Sequence, residues 1–330
     1  MLLSIEGLTV TFRTEEGPVT AVEDASLEIR EGEVVGLVGE SGSGKSVLAR
    51  SVMQLNPRNA RYGAGGRILF HGPSGPVDVL ALERAEDLRV VRGGSVSMIF
   101  QEPMASFAPA ISIGSQMVEQ LRLHTDVSAK RAREIAVEML DRVGISDPSR
   151  RFDQYAFELS GGMRQRAMIA MALSTRPRLL IADEPTTALD VTIQAQVLDL
   201  MSELVAELGM AVLLITHDLG VVAGIADRIA VMYLGRIVEA GPVRAAVRSP
   251  AHPYTRGLFA AIPRLDDLDR PLMPVPGDIP SPLERPAGCP FHTRCAVVVG
   301  PVCRERVPAR LAVGPGHGAA CHRLAVADPA

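Results

Sequence analysis

Residues 39–46 read Gly39-Glu40-Ser41-Gly42-Ser43-Gly44-Lys45-Ser46, a fit to G-x-x-x-x-G-K-[ST]. The glycines let backbone N–H groups converge on phosphate oxygens. Lys45 adds a point charge at the β- and γ-phosphates, and the Ser46 hydroxyl can ligate Mg²⁺. Ahead of the loop, VVGLV is a short apolar run bounded by glycine, as a buried strand is. From Val47 onward, VLARSVMQL has helical spacing, so a helix would point its positive end at the same anion. Of the 34 basic side chains only Lys45 and Lys130 are lysines, so a chance lysine at this position is improbable.

The second half of a phosphate site lies at RLLIADE, residues 178–184. A buried strand ending in Asp183 places a carboxylate where it can hold Mg²⁺ through water. Glu184, one residue on, is placed to polarise an attacking water. Around these two segments LTVTF and ASLEI alternate as half-buried strands do, AVLLIT reads as a strand, and RIAVMYLGRIVEAG reads as a hairpin. TIQAQVLDLMSELVAEL is an amphipathic helix. Residues 110–143 put Ile113, Met117, Val118, Leu121, Ile135, Met139 and Leu140 on apolar helical faces. Strands alternating with helices predict an α/β fold with a largely parallel sheet. The helical block at 110–175 interrupts that alternation as an insert. From about 241 the chain turns proline-rich and predicts an appendage with little regular structure.

At LSGGMRQR, residues 159–166, the sequence resembles the ATP-binding subunits of ABC transporters. The order supports the likeness: phosphate loop, FQEP at 100–103, LSGGM, LLIADEP, TALD at 187–190, and ITHD at 215–218. The resemblance implies a P-loop NTPase core over 1–102 and 176–240, with N-terminal antiparallel strands. It implies a helical signature subdomain over 103–175 and a small irregular extension over 241–330. It implies that two such chains pair head to tail, each ATP lying between one phosphate loop and the other chain's signature. Ser160, Gly161 and Gly162 would then grip the partner's γ-phosphate from a helix start. Gln101 would join Ser46 and Asp183 on Mg²⁺, and Asp190 would reach the partner's phosphate loop. His217 would steady the γ-phosphate and the water activated by Glu184, and Phe12 would stack on adenine. Position 163 is Met where the general pattern has Gln, which removes a side-chain amide and leaves the backbone donors in place.

Within that family the sequence is most similar to the ATPases of dipeptide and oligopeptide importers and their nickel-importing relatives. FQEPMASFAP, SPAHPYTRGLFAAIP, GCPFHTRC and a later ACH carry this likeness. It implies a subunit at the cytoplasmic face of the membrane, beneath two permease subunits whose helices dock on the insert. An extracytoplasmic solute-binding protein would act at one remove. Nothing in the sequence decides between peptide and nickel, because the ATPase does not touch the solute.

The four cysteines, Cys289, Cys295, Cys303 and Cys321, all fall in the last stretch, as do 15 of the 24 prolines, which lie after residue 240. Four thiolates can close a tetrahedral metal site or an iron–sulfur cluster and supply folding energy to a segment poor in apolar residues. Disulfides fit an oxidising compartment, zinc usually takes closer pairs, and free thiols stay open. The importer resemblance implies a 4Fe–4S cluster. His292 and His322 stand beside the cysteines and could substitute as ligands, but with four cysteines available they are expected around the site or in solvent.

The remaining function classes are narrowed by composition. A net charge of −4 and a single cassette disfavour an ABC ATPase working on nucleic acid or ribosomes. No run of 18 apolar residues occurs, and MLLSIEGLTVTF lacks the basic and apolar regions of a secretory leader.

Overall fold

The computed structural model describes residues 1–73, 75–186, 191–261 and 275–326. By its contacts the chain divides into two compact units. One is Met1–Leu3, Ile29–Glu33 and Leu69–Ile215; the other is Ser4–Glu28, Val34–Ile68 and Thr216–Ala330.

In the first unit three parallel strands lie side by side, Val96–Ile99, Leu179–Asp183 and Ala211–Ile215. Their register sets Ile99 opposite Ala182 and Asp183 opposite Ile215. All fourteen of their residues are buried, as the continuous apolar runs require of strands covered on both faces. The helical block comprises mainly Ile113–His124, Ala129–Arg142 and Gly161–Ser174. Each begins at a serine whose side chain accepts a backbone N–H: Ser112 from Ser115, Ser128 from Arg131, Ser160 from Met163. Ile113, Met117, Leu121, Met139 and Leu140 are buried, while Val118 and Ile135 are half-buried at the margin of the same faces. Gly114 lets the first of these helices close on Phe152, since a Cβ there would lie 2.2 Å from the ring.

In the second unit Val34–Val38 pairs parallel with Arg228–Tyr233, which turns back antiparallel into Arg236–Pro242. The predicted hairpin is therefore present, with a bulge at Val231/Met232. The strand Leu3–Thr14 pairs antiparallel with the short Ala60–Tyr62, so that Phe12 faces Ala60. The helix Lys45–Val52 follows the loop after Val34–Val38 directly.

The C-terminal stretch is more regular than its composition predicts. It contains the helices Val243–Arg248 and Pro253–Ala260, and a hairpin of Leu311–Gly314 and His317–Ala319 that adds to the edge of Arg236–Pro242. The reason is the hydrogen-bonding demand of a sheet edge, which a short strand of any tolerable composition can meet. Glu239 anchors this arrangement. Fully buried, it accepts N–H bonds from Ala251 (2.9 Å) and His252 (2.7 Å) and meets His317 Nε2 at 2.8 Å.

Candidate nucleotide site

Each half of the site predicted from sequence is built within its own unit. In the second unit the loop 39–46 turns on three glycines with positive φ: Gly39 (+151°), Gly42 (+76°) and Gly44 (+101°). Two of these are obligatory by space as well as angle. A Cβ on Gly39 would lie 2.1 Å from the Met232 carbonyl oxygen, and one on Gly44 would lie 2.3 Å from that of Ala21. Lys45, largely buried, folds back across the loop and donates from Nζ to the carbonyls of Gly39 (2.7 Å) and Glu40 (3.0 Å). The ammonium is thus held by the carbonyls of the loop's own first two residues. Ser46 and Val47 lie in the first turn of the helix Lys45–Val52, whose leading N–H groups open on the loop. Phe12 is half-buried on its strand.

In the first unit Asp183 ends its strand completely buried. Glu184 follows in the left-handed region, φ +48°, its N–H held by the Ile215 carbonyl at 2.9 Å. A non-glycine residue at such an angle is strained and needs a surrounding that holds it. Gln101, just beyond the neighbouring strand Val96–Ile99, donates from Nε2 to Glu184 Oε2 at 2.9 Å. Gln165, inside the signature helix and 2% exposed, donates to the Pro185 carbonyl and so ties that helix to the segment after Glu184. Ser160 and Gly161 are exposed and Gly162 half-exposed at the start of a 14-residue helix, open to a ligand from outside. Asp190 lies outside the described residues. His217 is exposed in the second unit, one residue before Asp218, which caps the helix Leu219–Ile225. The helical block also carries an open groove of about 580 Å³, lined by Val118, Arg122, Leu123, Arg133 and Phe152 among others.

The ABC transporter family profile matches residues 22–187. The chain belongs to the ABC transporter family. A second family, described as the oligopeptide/dipeptide transporter C-terminal region, matches residues 238–303 of this ABC chain. A putative peptide import ATP-binding protein of Brucella abortus is 51% identical over 98% of the chain and 97% of its own length. The oligopeptide transport ATP-binding protein OppD of Salmonella typhimurium is 47% identical over 98% of the chain and 94% of its length. The ATP-binding cassette MJ0796, solved as a dimer bound to ADP and Pi, matches with a TM-score of 0.64 at 26% identity, covering 74% of this chain and 99% of that one. The P-loop NTPase fold implied by the resemblance is therefore the fold of this chain.

Sequence reading missed the surroundings of Glu40. Its backbone N–H donates to the Tyr254 hydroxyl at 2.8 Å, and its carboxylate meets Arg294 at two points. Tyr254 was visible only as part of the HPYT likeness, and no local pattern marks Arg294.

Among the described residues the four cysteines are free thiols, with Cys289, Cys303 and Cys321 buried and Cys295 half-exposed. They are near enough to act on one another electrostatically. Burial pushes the Cys289 thiol up to about 11, with the neighbouring cysteines adding to the rise, and burial also raises Cys295 and Cys321. Burial and the neighbouring cysteines thus favour the protonated thiols while no cation is present to share them as thiolates. Among the described residues no three His, Cys, Asp or Glu are drawn in to metal-binding geometry. Cys289 donates its N–H to the Cys303 carbonyl at 2.9 Å, and the turn ahead of it depends on Gly288, φ +72°. His292 Nδ1 turns to the Cys289 carbonyl and His322 Nε2 to that of Arg306, so both imidazoles are occupied with backbone.

Proposed function

We propose that this chain is the ATP-hydrolysing subunit that energises a bacterial importer of di- or oligopeptides. The match of residues 238–303 to the oligopeptide/dipeptide transporter C-terminal region carries the reading, and the names of the full-length relatives support it. On this reading Lys45 and the backbone of 39–47 hold the triphosphate, and Phe12 stacks on the base. Ser46, Gln101 and Asp183 serve Mg²⁺, Glu184 is the general base, and His217 steadies the γ-phosphate. Ser160, Gly161 and Gly162 address the ATP of a homologous partner ATPase, and Asp190 its phosphate loop. The division into a core of 1–102 with 176–240, an insert of 103–175 and an extension of 241–330 belongs to the same proposal. So does peripheral attachment at the cytoplasmic face under two permease subunits, for which the groove beside Arg122 and Phe152 is the docking surface. Among the described residues no helix is long and apolar enough to cross a membrane.

Cys289, Cys295, Cys303 and Cys321 are proposed to hold a 4Fe–4S cluster, which would cross-link three separate pieces of the extension. What supports this is the occurrence of four unbridged thiols within one short segment.

Reconstitution with the permease, the binding protein and the partner ATPase tests the function. Peptide-dependent ATP hydrolysis and peptide uptake are expected, and uptake of another solute class with no response to peptides would overturn it. Iron and sulfide assays on anaerobically purified chain test the cluster, with about four of each per chain expected. Four freely titratable thiols and no metal would overturn it.

A further inference from the structure

The loop that would take a polyphosphate carries a carboxylate of its own. Glu40 is its second residue, and an uncompensated anion there would repel the ligand. Arg294 answers it across 254 residues. Its two terminal nitrogens donate to Glu40 Oε2 at 2.7 Å and Oε1 at 3.0 Å, a two-point pairing that fixes direction as well as charge. The guanidinium is itself held. It donates to the Pro276 carbonyl at 2.9 Å and the Val275 carbonyl at 3.1 Å, and lies over the rings of Tyr233 and Phe291. The Arg294 side chain is 3% exposed against 26% for Glu40, so the cation is set in the protein and the carboxylate remains partly open. Tyr254 completes the grip by accepting the Glu40 N–H, and its ring packs on Tyr233 (4.7 Å) and Phe291 (5.4 Å).

We propose that Arg294 is a positioning residue for nucleotide binding: it cancels the phosphate loop's own negative charge and, with Tyr254, fixes the loop's first turn. The C-terminal segment thereby sets the affinity of the loop for a nucleoside triphosphate. This rests on the reading of residues 39–46 as the nucleotide site.

Calorimetric titration of the full chain with Mg-ATP at low salt tests it, in the wild type, Arg294→Gln, Glu40→Gln and the double variant. Arg294→Gln is expected to weaken ATP binding by roughly tenfold, because Glu40 is left bare. The double variant is expected to return to within about threefold of the wild type, because the repelling charge is gone as well. The loss in Arg294→Gln is expected to shrink as salt is raised. A clamp of purely structural value predicts the opposite for the double variant, and binding there as weak as in Arg294→Gln would overturn the proposal. Should Arg294→Gln fail to fold, Glu40→Gln still decides. It leaves the anchors of Arg294 on Pro276 and Val275 in place and is expected to bind ATP about threefold more tightly, whereas unchanged or weaker binding overturns the proposal. A wild-type chain that binds no ATP removes the nucleotide reading and this proposal with it. Wild-type binding with an unaffected Arg294→Gln removes the proposal alone.

Discussion

Gln101 Nε2 and Glu184 Oε2 stand 2.9 Å apart at the ends of neighbouring parallel strands. The amide holds one carboxylate oxygen in place, and Glu184 itself sits on left-handed backbone, φ +48°. If Glu184 is the general base, Glu184→Gln keeps the shape and removes the basic oxygen. Phosphate release is expected to fall by roughly 10²–10⁴-fold, with ATP binding retained. Turnover within tenfold of the wild type would move the base elsewhere.

The glycines divide by what surrounds them. Gly39→Ala places a Cβ 2.1 Å from the Met232 carbonyl oxygen, so the loop must shift. Gly32 also has positive φ (+66°) but has nothing within 4 Å of the added carbon. Gly39→Ala is expected to abolish measurable ATP binding and lower the melting temperature. Gly32→Ala should cost only about 1 kcal/mol of backbone strain and bind ATP as before. Equal behaviour of the two in calorimetry and thermal melts would contradict this account.

His252 gives the fold an acid-sensitive point. Its Nδ1 accepts the Tyr254 N–H at 3.1 Å, and burial pushes its pKa from 6.5 down to about 3. Above pH 6.5 the imidazole is neutral in both folded and unfolded chains, and stability is unaffected. Below it the unfolded chain takes up a proton that the folded chain refuses, so stability falls until about pH 3. Asparagine can also cap a helix and cannot protonate. Urea melts at pH 7 and pH 5 should therefore show the wild type losing about 2 kcal/mol more than His252→Asn. Equal losses would place the acid sensitivity in other groups.

Thiol reactivity should follow burial when no metal is bound. Cys295 is half-exposed, whereas Cys289 is buried and its thiol is pushed up to about 11. Near-neutral alkylation of chelator-treated chain, mapped by peptide mass spectrometry, should label Cys295 first and Cys289 last. Labelling in the reverse order would show that reactivity in this segment is not set by burial.

The elements legible in the sequence are those whose signal is local. Val34–Val38, the loop after it and Leu179–Asp183 announce themselves by apolar runs, glycine spacing and a terminal carboxylate within a few residues. Gln101 and Glu184 each carry a motif of their own, and their hydrogen bond follows from two adjacent parallel strands ending at one level. The C-terminal hairpin was not legible, because Leu311–Gly314 is exposed on all four residues and has no buried face to impose a period. The Arg294–Glu40 clamp was not legible either. Arginine is the commonest charged side chain here, and no spacing rule links positions 254 residues apart.

Glu239 finally bears on how such a chain is inherited. Its strand, Arg236–Pro242, is flanked by Arg228–Tyr233 on one side and His317–Ala319 on the other, and the carboxyl draws on Ala251, His252 and His317. The join between cassette and C-terminal region therefore has no seam. A gene shortened near codon 240 would encode a cassette with a raw sheet edge and a buried acid stripped of its donors. The tail is thus a structural component of the cassette's sheet, and trimming it damages the part that it borders.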